Sequence, residues 1–271
     1  MSMKTFITIL TCILHGWLPA FSKEAPAPAD DAQLLAKVAP GMKAERRLIG
    51  GNENQVAFFL RHATHSGPAR GLGLILPGGP GSADFLPFCA NVLARQAFPD
   101  DWLVVQLVAP QWRPLSESVT IWPSKIFPDP KAKFTTEEFV GGVLKETLGR
   151  EVAKEAPVVA LGWSSSGHAL YSSLMKLPEL RGVMMNGARC QESWFRPKTA
   201  IKGKAVFLYH SPEDTVCPFT DAQQAVVFLP KAGAHARLAT YAGGHGWPPG
   251  TDHPAALREG LAWVLETTAK K

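Results

Sequence analysis

The chain has 271 residues, 46% of them hydrophobic and 19% charged, an ordinary globular composition with enough apolar side chains for a large core. Its formal net charge of +5 is spread over scattered Lys and Arg residues, with no basic run interleaved with aromatics. The charge therefore reads as solvation, and nucleic acid is not an expected partner.

The first residues read as a targeting signal. "MSMK" carries positive charge, "TFITILTCILHGWLPA" is uncharged and mostly apolar, and Ala20-Phe21-Ser22 has the small-x-small cleavage pattern. The expected organisation is a signal peptide over 1–22, a flexible Pro/Ala-rich tether over 23–41, and one domain over 42–271. Export to a periplasm or the medium follows, with the mature chain starting near Lys23. Lipid anchoring at Cys12 is the competing reading, weakened by Thr11 where Gly, Ala or Ser is usual. No later stretch is long enough to span a bilayer, so no stable membrane insertion is expected.

Beyond the leader lie Cys89, Cys190 and Cys217, an odd number. Cys190 and Cys217 follow neighbouring strands in the predicted order, so a bridge between them is one option, to be decided by distance. There is no CxxC pair and no Cys/His group with zinc spacing. His62-x-x-His65 reads as a solvated turn, and no metal or organic cofactor is expected.

In chain order, "KAERRLIG" and "NQVAFFLRHA" read as strands joined through a Gly-Gly-Asn turn. Buried-type strands follow in "GLGLIL" (71–76), "WLVVQLVAP" (102–110), "APVVALGW" (156–163), "RGVMMNGA" (181–188), "KAVFLYH" (204–210) and "ARLATYAG" (236–243). Between them, 134–156 has apolar residues at helical period behind a Thr135/Glu138 capping box. The chain closes on a helix with Pro254 near its first turn. Strands alternating with helices predict an α/β fold, a mostly parallel doubly wound sheet flanked by helices. The stretch 111–133 breaks the alternation: Pro- and aromatic-rich without a clean period, it reads either as a loop with its own small core or as a wall over a pocket.

"VVALGWSSSGHALYSSL" is a strand, a tight turn and a helix, the setting of a nucleophile held in a sharp, strained turn. Such a turn crowds the residues two before and two after the nucleophile, so both must be small. Ser164 has Gly162 before it and Ser166 after; Ser165 would put Trp163 in the crowded place, and Ser166 would put His168 there. Ser164 is the choice, against the plainer reading of a Ser-rich helix cap.

A serine hydroxyl needs a base to take its proton and a carboxylate to orient that base. Asp214 follows the strand "KAVFLYH", with Glu213 as its rival, and His245 sits between glycines after "ARLATYAG". Each has a plain alternative as a turn former or a loop histidine. The order Ser, Asp, His at successive strand ends is what joins them. Donors for an oxyanion are expected from the Ser165 N–H and, in "ILPGGPGS", from Gly79, because Pro80 has no N–H. A phosphate cradle does not fit that loop, which lacks the Walker lysine and the GxGxxG spacing.

With these residues in view, "LPGGPGS", "GWSSSG", "HSPEDTVCP" and "GGHGW" resemble the signature stretches of α/β-hydrolase-fold serine esterases. The group most similar is the phospholipase/carboxylesterase group, with its dienelactone-hydrolase and feruloyl-esterase-like relatives. The resemblance covers roughly 55–265 and implies a single-domain α/β-hydrolase fold with Asp214 as the acid. It departs twice: Pro77-Gly78 stands where His-Gly is common, and Ser166 where Gly is common.

The expected function is that of an exported serine hydrolase cleaving a small-molecule carboxylic ester through Ser164, His245 and Asp214 and an acyl-enzyme. A peptidase, a thioesterase or a non-catalytic binding protein on the same fold are the alternatives. Trp122 and Trp247 are candidates for lining the substrate pocket, His168 is read mainly as packing, and His210 as a hydrogen-bonding support for the Asp214 turn. The sequence leaves the ester and the oligomeric state open.

Overall fold

A computed structural model describes residues 30–269, apart from 115, 116, 118, 119 and 196. The expected leader, Cys12 and the first part of the expected tether lie outside the described residues. One sheet of eight strands runs through the molecule: β1 (Met42–Leu48), β2 (Val56–His62), β3 (Gly71–Leu76), β4 (Trp102–Leu107), β5 (Val158–Trp163), β6 (Leu180–Asn186), β7 (Ala205–His210) and β8 (His235–Thr240). Their spatial order is β1-β2-β4-β3-β5-β6-β7-β8. The β1–β2 and β2–β4 pairs are antiparallel, and every later pair is parallel.

The inner strands β3 to β7 are largely apolar on both faces because helices cover both, whereas the edge strands β1 and β8 are half-exposed. Leu72, Leu74, Val158, Ala160, Val206 and Leu208 join the core on one side, while Ile75, Val159, Leu161, Ala205 and Phe207 join the core on the other. That alternation within continuous apolar runs is what a parallel sheet buried on both sides requires. The helices are α1 (Asp31–Leu35), α2 (Leu86–Phe88), which runs into a π-helical Cys89–Ala94, α3 (Thr136–Thr147), α4 (Gly167–Ser172), α5 (Phe219–Lys231) and α6 (His253–Ala269). No helix among the described residues is long and apolar enough to cross a membrane.

Three expectations shift. The segment assigned to the tether contains a helix: Asp30 caps α1 by accepting from the Ala32 N–H at 3.2 Å, and Leu34 is buried. Asn91 then clamps the following turn, accepting from the Ala39 N–H and donating to the Lys37 carbonyl. Composition pointed to a tether; one leucine with a place in the core overrides it. The helix expected over 134–156 starts on its capping box, with the Thr135 N–H donating to Glu138 Oε2 at 2.7 Å, but ends at Thr147. Finally, Cys89, Cys190 and Cys217 are free, buried thiols, so Cys190 and Cys217 form no bridge.

Helix α6 lies against β6 and β7 with Gly260 facing Phe207; a Cβ at that glycine would meet the ring at 2.4 Å. Gly260→Ala is therefore expected to destabilise the domain by about 1–3 kcal/mol through overpacking, read as a lowered urea midpoint at unchanged slope. A midpoint equal to wild type would show that α6 does not pack this closely.

Candidate active site

Strand β5 delivers Ser164 to a turn immediately before α4. Among the described residues Ser164 is the only non-glycine with positive φ, at 52°. The left-handed conformation costs an L-residue about 1–2 kcal/mol, so the surroundings must hold it there. The crowding expected around it is present: a Cβ on Gly162 would lie 2.4 Å from Ser166 Oγ and 2.9 Å from the Leu76 carbonyl oxygen. Ser166 fits in place of glycine because its hydroxyl is turned back, donating to the Trp163 carbonyl at 3.1 Å in a buried position.

The three serines have three different surroundings. Ser164 Oγ lies 3.0 Å from His245 Nε2, Ser165 Oγ donates to the Gly79 carbonyl at 2.8 Å, and Ser166 is locked onto its own turn. The contact between Ser165 and Gly79 joins the two loops expected to supply the oxyanion donors.

Behind the serine, His245 Nδ1 lies 2.8 Å from Asp214 Oδ2. An ionised carboxylate only accepts, so Nδ1–H donates to it and Nε2 is left bare to accept from Ser164 O–H. The Asp214 side chain has no exposed surface. Its Oδ1 accepts from the Val216 and Cys217 amides at 2.8 Å each, and its Oδ2 also accepts from His210 Nε2 at 3.0 Å. Burial alone pushes this carboxyl up, but the bonds from His245 and the two amides outweigh it and hold it below the ordinary carboxylate range. His210 supports the turn as expected, donating to the Cys217 carbonyl as well, at 2.9 Å.

Glu213, the rival acid, does something else. Its Oε2 accepts from the Gly243 N–H at 2.8 Å, and Ser211 Oγ accepts from the Gly244 N–H at 3.0 Å. The acid loop thus holds the histidine loop by its backbone. Gly187 was missed by the sequence reasoning: at φ 47° after β6, a Cβ there would sit 3.3 Å from Asp214 Oδ2 and 3.6 Å from His245 Nδ1. The only signal for it was a glycine just past a strand end. Asp214, Cys217 and His245 are the one group among the described residues with donor atoms near enough for a metal, within 4.8 Å. Burial pushes the Cys217 thiol up to about 11, and Asp214 and His245 are bonded to each other, so the donor set fits a proton relay better than a metal centre.

Two cavities flank Ser164 and His245. One, of about 290 Å³, is lined by His245 and by Phe85, Phe88, Trp163, Trp247 and Leu257 among others. Trp247 lines this cavity, with its indole stacked on His253 at 4.7 Å. The other, of about 300 Å³, opens at Ser164 between Thr120, Phe127, His168, Arg189 and Trp194. Arg189 is held through Nε by Asp221 at 3.1 Å.

Trp122 is a correction. It is fully buried, with 0% exposure, and its Nε1–H donates to the Pro77 carbonyl at 3.0 Å, so it supports the glycine-rich loop and lines neither of these two cavities. An aromatic beside a site suggested a wall; its indole N–H had a buried acceptor to satisfy. The segment 111–133 carries both of its expected roles: Trp112 packs on Phe134 and Arg113 pairs with Asp129, while Thr120 and Phe127 wall the second cavity. His168 does more than pack. It lines that cavity, donates Nε2–H to the Trp122 carbonyl at 3.0 Å, and has its pKa lowered by burial.

No protein-family model matches the sequence, and no curated protein does either. Solved structures match in fold. MGS-M1, an alpha/beta hydrolase enzyme from a Medee basin deep-sea metagenome library, is similar at a TM-score of 0.59 and 15% identity, over 85% of this chain and 100% of that one. Esterase 2 of Thermogutta terrifontis, phosphorylated by paraoxon, is similar at 0.58 and 14%, over 84% and 94%. The Bacillus cereus carboxylesterase is similar at 0.51 and 15%, over 81% and 97%. With the strand order above, they establish the α/β-hydrolase fold.

Two outcomes follow from the strain and the buried charge. Ser164→Gly is expected to be about 0.5–1 kcal/mol more stable than Ser164→Ala: relief of the left-handed penalty exceeds the glycine's larger unfolded-state entropy. Thermal melts compare them, and an alanine variant at least as stable would show that the turn is unstrained. Because the Asp214 carboxyl is lowered on folding, its stabilisation is present above the ordinary carboxylate range and is lost as pH falls through the lowered value. Asp214→Asn should accordingly flatten the loss of stability as pH falls below the ordinary carboxylate range, measured by denaturant titration at a series of pH values. An unchanged slope would mean that the folded carboxyl titrates normally.

Proposed function

We propose that this α/β-hydrolase-fold chain is a serine hydrolase that cleaves carboxylic esters. The observation that carries the reading is the line from Ser164 Oγ through His245 to Asp214, at 3.0 Å and 2.8 Å, on a serine backbone held in the left-handed region. Distance and tautomer both suit proton transfer from the hydroxyl to Nε2.

In this mechanism Ser164 Oγ attacks the ester carbonyl carbon while its proton moves to His245 Nε2. The carbonyl π electrons move to oxygen, and the N–H groups of Gly79 and Ser165 bind the resulting oxyanion. Asp214 stabilises the imidazolium and keeps Nδ1 protonated. The tetrahedral adduct collapses, the C–O bond to the alcohol breaks, and Nε2–H protonates the leaving oxygen. Water, deprotonated by the same nitrogen, then attacks the acyl-enzyme and restores Ser164.

Delivery of the proton from Nε2 requires the leaving oxygen to lie within about 3 Å of it. The alcohol half therefore occupies the aromatic cavity that His245 lines, and the acyl half takes the cavity opening at Ser164. An apolar or aryl alcohol suits walls of Phe85, Phe88, Trp163 and Trp247, which offer area and edge-to-face contacts but little charge.

p-Nitrophenyl esters from acetate to octanoate test the reading beside Ser164→Ala. Hydrolysis is expected to fall about 10⁴-fold or more in the variant. Paraoxon, which phosphorylates the Thermogutta esterase 2 of similar fold, should label the wild type once, at Ser164, and leave the variant unlabelled. Undiminished hydrolysis in Ser164→Ala, or neither hydrolysis nor labelling in the wild type, would overturn the assignment.

A further inference from the structure

We infer that Trp122, Gln111 and the side chain of Ser165 are positioning residues for the oxyanion site, holding the loop 77–81 so that the Gly79 N–H faces Ser164. The inference rests on the ester-hydrolase reading above for its catalytic meaning, and on hydrogen bonds alone for its geometry.

Five consecutive carbonyls in this loop each accept one bond. The Pro77 carbonyl accepts from Trp122 Nε1 at 3.0 Å, and that of Gly78 from the Gly81 N–H at 3.0 Å. The Gly79 carbonyl accepts from Ser165 Oγ at 2.8 Å, that of Pro80 from Gln111 Nε2 at 3.0 Å, and that of Gly81 from the Ala109 N–H at 2.8 Å. The bond from the Gly81 N–H to the Gly78 carbonyl closes a four-residue turn with Gly79 at φ 55° and Pro80 after it, the pattern of a type II′ turn.

In a trans peptide the C=O and N–H point in opposite directions. The unit that carries the Gly79 N–H is the unit whose carbonyl is tied to Gly81, so binding that carbonyl on one side turns the N–H out on the other. The peptide units before and after it are clamped in turn by Trp122 and Ser165. Rotation of the Gly79 amide would break at least one of these bonds. A donor aimed before the charge develops needs no reorganisation during the reaction, and this is where oxyanion sites gain most.

Trp122 is also tied to the helix that follows Ser165. The Trp122 carbonyl accepts from His168 Nε2, one turn into the elbow helix, and Ser165 is the residue after the nucleophile. The glycine-rich loop, the elbow and the segment 111–133 are thereby fixed to one another. This answers the first departure in the sequence: with Pro77-Gly78 in place of His-Gly, the loop is held from outside by an indole N–H and a hydroxyl. The segment 111–133 serves here as a strut.

Three single variants test this: Ser165→Ala, Ser165→Thr and Trp122→Phe, the last keeping an aromatic ring and removing the N–H. The first readout is the order parameter of the Gly79 amide by ¹⁵N relaxation, which needs no substrate. It is expected to fall in Ser165→Ala and Trp122→Phe and to recover in Ser165→Thr. The second is p-nitrophenyl ester hydrolysis: kcat should drop roughly tenfold with KM within twofold, a part of the 10²–10³ lost when an oxyanion donor is removed outright. Affinity for a trifluoromethyl ketone, which forms a tetrahedral adduct, should fall in the same proportion. A merely structural role would lower the melting temperature and the labelled fraction without this split.

An unchanged Gly79 amide in Ser165→Ala overturns the inference, and Ser165 is exposed enough for that variant to fold even if Trp122→Phe does not. A loosened amide with kcat and ketone affinity intact also overturns it, since the loop would then not position a catalytic donor. Failure of the wild type to hydrolyse any ester would sink the function proposed above, while the Gly79 amide would still decide the clamp.

Discussion

The backbone of Ser164 is the constraint from which the rest of the site follows. A left-handed residue between a strand and a helix exposes its hydroxyl at the strand end, and it can persist only where packing holds it. Gly162 must lack a side chain because Ser166 Oγ occupies that space, and Ser166 must be small and turned inward because Gly162 is there. The parallel strands on either side, β3 and β6, keep β5 from relaxing, and their own C-terminal loops provide Gly79 and Gly187 at the same edge. The strained φ of Ser164 thus accounts for the small residues at 162 and 166.

Charge is managed by a second set of loops. Asp214 is fully buried, and an unpaired carboxylate there would be costly; four donors remove that cost and keep it ionised. His245 lies in a glycine-rich loop with little shape of its own, and Ser211 and Glu213 hold that loop through the Gly243 and Gly244 amides. The acid loop therefore orients the imidazole electrostatically through Asp214 and mechanically through its neighbours. Three of these polar side chains lie within the stretch "HSPEDTVCP", which explains how so short a segment does both.

The cavities divide by chemistry along the same edge. Aromatic rings from the helical turn after β3, the end of β5 and the histidine loop converge beside His245, whereas the cavity at Ser164 has Thr120, His168 and Arg189 among its walls. Phe88 touches both Trp163 and Trp247 edge-on, at 5.8 Å and 5.4 Å, so the aromatic cavity is built as one packed unit.

By itself the sequence determined what is local. Short strand-like runs bounded by turn residues placed the eight strands, the inner ones as continuous apolar stretches, because strand burial and turn formation depend on near neighbours. The spacing around "GWSSSG" singled out Ser164 because crowding at a tight turn acts on residues two positions away. His210 was legible for the same reason, four residues from Asp214. Tertiary structure decided whatever depends on segments far apart in the chain meeting. Trp122 is a strut because Pro77, 45 residues away, presents a carbonyl to its indole. Gly187 sits where a side chain would crowd Asp214 and His245, and Leu34 is buried because the core has room for it. Periodicity and spacing carry no record of such meetings, since a side chain's partner across the fold is set by packing and not by its distance along the chain.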